Sequence, residues 1–169
     1  RLYCHHLRKV LFFLRKIIAL SLLAVMLCSL LYLTGCSRKT ALTVDAFYNL
    51  MEENGYEATY ITDQYTEYDQ LTGVCVAMQI YGEYQTEFYE ADTDDTAKNL
   101  YANNQSILEY LTSVAYSRTV VNGMNSNAFK MTSNGRYYVL SRIDNTVIYI
   151  EAPKECRGEF NGVLKMLGY

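Results

Sequence analysis

The chain has 169 residues, enough for one domain with a sizeable core, and carries 15 Lys and Arg against 18 Asp and Glu. Five of the cations (Arg1, Arg8, Lys9, Arg15 and Lys16) fall in the first 36 residues, which hold no carboxylate, so the remainder has a formal charge of −8. Such an acidic stretch, its Lys and Arg scattered, cannot release the counterions of a phosphate backbone, which sets nucleic acid aside as a partner.

The chain opens on a basic region ending at Arg15 and Lys16, then an apolar run, "IIALSLLAVMLCSLLY", from Ile17 to Tyr32, then small residues. These are the three parts of an export signal. The run has 16 residues, short of the roughly 20 that a stable spanning helix needs. Cations on its N-terminal side hold that end in the cytoplasm and send the C-terminal remainder of the chain across the membrane.

Directly after the run stands "LTGC", Leu33 to Cys36. This resembles the lipobox of bacterial lipoproteins, in which a Leu, a small or β-branched residue and a Gly precede a Cys that is acylated and becomes the new N-terminus. The resemblance implies a diacylglycerol on the Cys36 thiol, cleavage between Gly35 and Cys36, and a protein anchored by lipid on the extracytoplasmic face of the cell membrane. Two acyl chains, at about 0.8 kcal/mol per buried methylene, give stable anchoring where one is marginal. The alternative is an uncleaved signal anchor with Cys36 an ordinary thiol. The expected division is a signal peptide over 1–35, lipidated Cys and tether over 36–42, and one domain over 43–169.

Within that domain Thr43 reads as an N-cap, with Val44, Phe47, Tyr48 and Met51 on one helical face and Gly55 as a stop, predicting a helix from Val44 to Asn54. "YEATYIT" reads as a strand. "LTGVCVAMQI" alternates with period two, and "YGEY" turns it into "YQTEFYEA", so Leu71 to Ala91 reads as a hairpin. A second helix comes next in "DTDDTAKNLYANNQSILEYLTS", its start acidic. "RTVV", "NAFKMTS", "RYYVLSRI" and "TVIYIEA" then read as a meander of three or four strands. Pro153, as the first helical residue, opens a last helix in which Cys156, Phe160, Val163, Leu164 and Leu167 share a face and Gly168 is the stop. The expected fold is α+β, an antiparallel sheet of about six strands with two or three helices packed on one face. Its order is helix, three strands, helix, three or four strands, helix.

"YYVLSRIDNTVIYI", continued by a short helix ending "LKMLGY", resembles small lipoproteins of Gram-positive gut bacteria. That resemblance implies no activity and carries no site residues.

Both histidines, His5 and His6, lie in the leader. The domain therefore lacks the residues for Ser-His-Asp or Cys-His catalysis and for any His-containing metal site. Cys75 and Cys156 have no CxxC spacing, and no Gly-rich loop matches a phosphate-binding fingerprint. No cofactor is called for, and the expectation is a protein that is not an enzyme. Outside the cytoplasm Cys75 and Cys156 are candidates for a disulfide, against the plainer reading of two buried small hydrophobes.

Carboxylates remain. Glu83, Glu87 and Glu90 fall on or beside one hairpin strand, where charges on the exposed side of a sheet explain them better than catalysis. "EADTDD", with Glu90, Asp92, Asp94 and Asp95, holds calcium-type oxygen ligands but lacks the spacing and Gly of an EF-hand, so an acidic helix start is the better reading.

Tyrosine is the oddity, 17 residues with no Trp. Tyr offers contact area and a hydrogen-bonding tip at low entropic cost, which suits binding faces. Tyr60, Tyr65, Tyr68, Tyr81, Tyr84 and Tyr89 form the candidate face, against the plainer reading of Tyr replacing Phe and Leu in a half-wet core. The functional expectation is a lipid-anchored lipoprotein whose domain binds an envelope protein or glycan. Capture of a small ligand or metal is the alternative. A carboxylate hydrolase of the envelope comes third, and it requires two acidic groups about 5 to 9.5 Å apart in one cleft.

Overall fold

The structure, a computed structural model, describes residues 38–79, 82, 84–111 and 115–169. Arg38 to Tyr169 forms one compact unit. The leader, Gly35 and Cys36 lie outside the described residues, as do Tyr81 and Glu83.

Helix α1 (Val44–Glu53) starts where Thr43 caps it, its side chain accepting the Ala46 N–H at 3.2 Å, and stops at Gly55, whose φ of +83° is cheap only for glycine. Strands β1 (Tyr56–Tyr60), β2 (Leu71–Gln79) and β3 (Gln85–Ala91) come next, with a 3-10 turn over Thr62–Tyr65 between β1 and β2. Helix α2 (Asp94–Leu111) leads to the meander β4 (Ala115–Asn122), β5 (Ser126–Ser133), β6 (Arg136–Ile143) and β7 (Thr146–Pro153). Helix α3 (Arg157–Met166) ends the order. Among the described residues no helix is long and apolar enough to cross a membrane.

The seven strands form one antiparallel sheet in the order β1-β2-β3-β7-β6-β5-β4. The α+β class and the antiparallel sheet agree with the sequence reading, and all four strands of the meander are present.

The expectation that the helices share one face is corrected. On β7, Ile148, Ile150 and Ala152 join α1 and α3 in one core, whereas Val147 joins α2 in another. Successive strand residues point to opposite faces, so α1 and α3 cover one side of the sheet and α2 the other. Residue parity on β6 agrees, with Tyr137 and Val139 in the first core and Leu140 in the second. The near-continuous burial of β6 and β7 is that of strands covered on both faces.

Pro153 does not open the last helix. It ends β7, pairing with Arg136; a 3-10 turn over Lys154–Cys156 comes after it, and the helix begins at Arg157. The sheet holds Pro153 at a strand end, where the missing N–H costs nothing. Phe160, Val163, Leu164 and Leu167 are buried as the spacing required, and Gly168 stops the helix at φ +81°.

The expected tether is partly folded. Lys39 N–H donates to Asn125 Oδ1 at 3.1 Å, Asn125 Nδ2 donates back to Lys39 O at 2.8 Å, and Leu42 packs against the first core. Arg38 reaches Asp144 at 3.4 Å.

Cys75 and Cys156 are free thiols, Cys75 in the core and Cys156 half-buried, so the structure holds no bridge between them. Burial pushes the Cys75 thiol up to about 11. Alkylation of the native protein at pH 8, mapped by peptide mass, is therefore expected to leave Cys75 unmodified until denaturant is added.

The α1 N-terminus docks where β2 is bare. A Cβ on Gly73 would lie 2.6 Å from Val44 Cγ1, and the stiff β-branched side chain of Val44 has nowhere to turn. Glu90 on the neighbouring strand accepts the Val44 N–H at 2.7 Å. Gly73→Ala is expected to destabilise the fold by about 1–3 kcal/mol through overpacking, measured by urea unfolding.

Candidate functional site

Helix α2 covers its side of the sheet incompletely. It shields Phe129, Met131, Leu140 and Val147 together with Ala91, Tyr89 and Leu71 at one end of β3 and β2, and the same face stays open over β1, over Val76 and Met78 of β2, over Gln85 and Glu87 of β3 and at the far end of β7. Register brings Glu87 opposite Tyr149 and Gln85 opposite Glu151 across β3 and β7, with Met78 opposite Gln85 on β2. These side chains line a shallow groove of about 360 Å³, closed at one end by Arg136. A second hollow of about 400 Å³ shares Met78, Gln85 and Glu87 with it and continues across Val76 and Thr59 to the 3-10 turn, where Gln64 and Tyr65 form a wall. Met78 is 43 % exposed on the floor.

The polar groups of the groove hold one another. Tyr89 donates its hydroxyl to Glu87 Oε2, and Gln85 Nε2 donates to Glu87 Oε1 at 2.6 Å. Tyr149 donates to Glu151 Oε2 at 3.0 Å, while Arg136 Nε sits 2.5 Å from Glu151 Oε1 as an ion pair without hydrogen-bond alignment. Burial first, and then the adjacent carboxylate, raises the Tyr89 and Tyr149 phenols well above their ordinary value, so both remain donors at any physiological pH. The result is a pair of carboxylates held by phenols around an apolar floor. It can accept hydrogen bonds from hydroxyl, amide or amine groups and stack against flat or aliphatic surfaces.

The six candidate tyrosines do not form one face. Tyr65, Tyr68 and Tyr89 converge: Tyr65 meets Tyr89 edge-on at 5.9 Å and Tyr68 at 6.3 Å, and the three border a hollow beside Leu100 of α2. Tyr60 lies on the opposite side, and Tyr84, just before β3, packs toward α3 while also lining the rim of the groove. Tyr60 stacks on Tyr48 at 4.7 Å and donates to Asp45 at 2.8 Å, tying β1 to α1. Tyr84 stands edge-on to Phe160 at 4.6 Å with its hydroxyl 2.7 Å from Glu159 Oε1, tying β3 to α3. For Tyr60 the plainer structural role is the one observed, whereas Tyr84 has both that role and a place in the groove's lining. Tyr81 lies outside the described residues.

Glu90, offered as a carboxylate near the others, caps α1 on the opposite side of the sheet, while Glu151 and Tyr149 were not singled out from the sequence. The signal available for them was the alternation of "TVIYIEA", which turns Tyr149 and Glu151 away from Ile148 and Ile150. Glu87 and Glu151 thus share one groove, as a carboxylate hydrolase would require, yet each is engaged by phenol, amide or guanidinium donors.

The acidic start of α2 is an ion-pair centre. Arg142, 4 % exposed, donates to Asp94 Oδ1, to Asp144 O at 2.7 Å and, through Nε, to Asn127 Oδ1 at 2.9 Å. Lys98 bridges Asp94 at 2.7 Å and Asp95 at 3.0 Å. Among the described residues no group of three or more His, Cys, Asp or Glu is placed to hold a metal ion.

No protein-family model matches the chain, nor does any curated protein. A solved structure similar to it is a GTP binding regulator from Thermotoga maritima, 20 % identical with a TM-score of 0.47, the match covering 75 % of this chain and 88 % of that one. A likeness at that level fixes neither fold nor function.

The hydrogen bond from Lys98 first, opposed by burial and then joined by the charges of Arg142 and Lys98, holds the Asp94 carboxyl below its ordinary value. Its folded pKa lies under the unfolded one, so the associated stability is present above about pH 4 and is lost as pH falls through the folded value. Asp94→Asn is expected to flatten that acid limb in thermal unfolding below about pH 4. Arg142→Ala, which leaves the Asp144 carbonyl and Asn127 without their buried partner, is expected to cost about 2–4 kcal/mol at pH 7 by urea unfolding.

Proposed function

We propose that the chain is a membrane-anchored extracytoplasmic lipoprotein, not an enzyme, whose α+β domain binds an envelope protein or glycan through the half of the sheet that α2 leaves open. The observation that carries the binding role is that uncovered half, where Met78, Tyr149, Glu87 and Glu151 form a continuous groove from β1 to β7. Antiparallel sheets whose open face is merely solvated carry scattered charges. Here the polar groups are paired with one another and frame an apolar floor, which is the composition of a recognition surface.

The anchor reading rests on "LTGC" placed after a basic and then an apolar segment. Lys39 is held to the Asn125 turn, so two peptide steps separate Cys36 from Arg38, on the order of 7 Å at full extension. Arg136, Gln85 and Glu151 lie at the end of their strands away from Asn125 and Asp144.

Two experiments test the two halves of the proposal. The intact mass of membrane-extracted protein, wild type beside Cys36→Ala, is expected to start at Cys36 with a diacylglycerol attached and to lose that lipid in the variant. A mass retaining the leader, changed in the variant by the side chain alone, would refute the anchor. For the groove, Met78→Arg and Glu87→Lys place cations where the face is flat and acidic. Both are expected to abolish retention of envelope glycan or protein by the purified chain while leaving thermal unfolding within a few degrees of wild type. Unchanged retention by folded variants would refute the open face as the site.

A further inference from the structure

The hollow that Tyr65, Tyr68 and Tyr89 share with Leu71, Leu100 and Asn104 lies beside the groove, with Tyr65 as the wall between them. Its volume of about 220 Å³ falls below the roughly 300–1,000 Å³ of pockets that take drug-sized ligands, so it suits a single compact group. The rings stand at angles to one another, 84° between Tyr65 and Tyr89 and 50° between Tyr65 and Tyr68. Parallel rings sandwich a flat ligand, whereas rings set at angles border a rounded one.

These rings are electron-rich. Tyr89 donates its hydroxyl hydrogen to Glu87, which leaves the Tyr89 oxygen to accept from Tyr65 at 3.4 Å. A chain of donors that ends on a carboxylate polarises each member, and electron density pushed into a phenol deepens the negative face of its ring. The surrounding charge has the same sign. From Thr40 to Ala97 the sequence has 13 Asp and Glu and no Lys or Arg, and Asp63, Glu67 and Asp69 stand in the segment that carries Tyr65 and Tyr68. Such a field draws in cations. Lys98 and Arg142, which fold back onto this half, are engaged at the start of α2 by Asp94 and Asp95.

The lining decides which cation fits. Among the described residues no charged side chain borders the hollow, and Asn104, whose amide nitrogen donates to Leu100 O at 2.9 Å, has only its amide oxygen to offer beside the phenols. An ammonium with N–H groups would give up water for too few acceptors. A methylated ammonium has no such groups to satisfy, and its charge is spread over a methyl surface that packs on aromatic faces and on Leu71 and Leu100. We propose that this hollow is an aromatic cage for a quaternary ammonium group, with Tyr65, Tyr68 and Tyr89 as its walls. The cage stands apart from the groove and does not depend on what the groove binds.

Choline and its uncharged isostere dimethylbutanol, in which carbon replaces the nitrogen, test this by calorimetric titration into the full chain in a non-ionic detergent. Wild type is compared with Tyr68→Leu and Tyr68→Phe. Tyr68 is 61 % exposed, so both variants are expected to unfold at close to the wild-type temperature. Wild type is expected to bind choline saturably and the isostere about tenfold more weakly or worse. Tyr68→Leu is expected to weaken choline about fivefold or more, and Tyr68→Phe, which keeps the ring, to retain it within about twofold. Absence of saturable choline binding overturns the proposal. Equal binding of the isostere does so as well, since the hollow would then be merely apolar, and so does choline binding unchanged in Tyr68→Leu, which would trace it to the acidic surface at large. The isostere comparison needs wild type alone, so it decides even if a variant does not fold.

Discussion

The pairing of β3 with β7 holds the molecule together. Without it the chain would be two separate meanders, β1-β2-β3 and β4-β5-β6-β7, each with a bare edge and half a core. With it, β7 becomes the strand through which both cores pass, sending Ile148, Ile150 and Ala152 toward α1 and α3 and Val147 toward α2. The same ladder sets Glu87 beside Tyr149 and Gln85 beside Glu151, so the groove is a by-product of the register that closes the sheet. Slipping that register by one residue would bury the carboxylates and expose Phe88 and Ile148.

A sheet covered on both faces has to be finished unevenly. Two short helices of ten residues each lie over one side, and a single helix of 18 residues lies over the other. One helix is about 10 Å wide and seven strands spaced about 4.8 Å apart are far wider. Leaving part of the α2 side open is thus a geometric necessity, and the sequence answers it locally. Where α2 lies, the sheet presents Phe129, Leu140 and Val147; where α2 stops, it presents Gln85, Glu87, Tyr149 and Glu151. The tyrosines serve this boundary, with apolar rings toward packed neighbours and hydroxyls toward carboxylates.

Much of the architecture was legible in local signals. Thr43 and Gly55 bracket α1, the period of two in "LTGVCVAMQI" marks β2, and the turn clusters separate β4 to β7. The features that were not legible depend on contacts far apart in the chain. Pro153 carries the same local preference at a strand end as at a helix start, and pairing with Arg136 decides between them. The two-sided covering was hidden for the same reason, although the unbroken apolar character of "VIYI" hints at a strand with no wet face. Tyr60 and Tyr84 could not be told from Tyr65 and Tyr89 by composition, because strand parity relative to α1 and α3 sorts them. The groove needed β3 and β7 side by side, and nothing in either segment names the other as its neighbour.

The position of β7 also orders events in time. It is translated after the six other strands, yet it sits fourth across the sheet. A chain delivered N-terminus first, from a ribosome or through a membrane channel, can assemble hairpins as they emerge but cannot join them until β7 arrives. Loop-closure entropy for the β3 to β7 contacts then has to be met late and all at once. Until β7 arrives the two halves have no strand in common, and its pairing closes the sheet in one step.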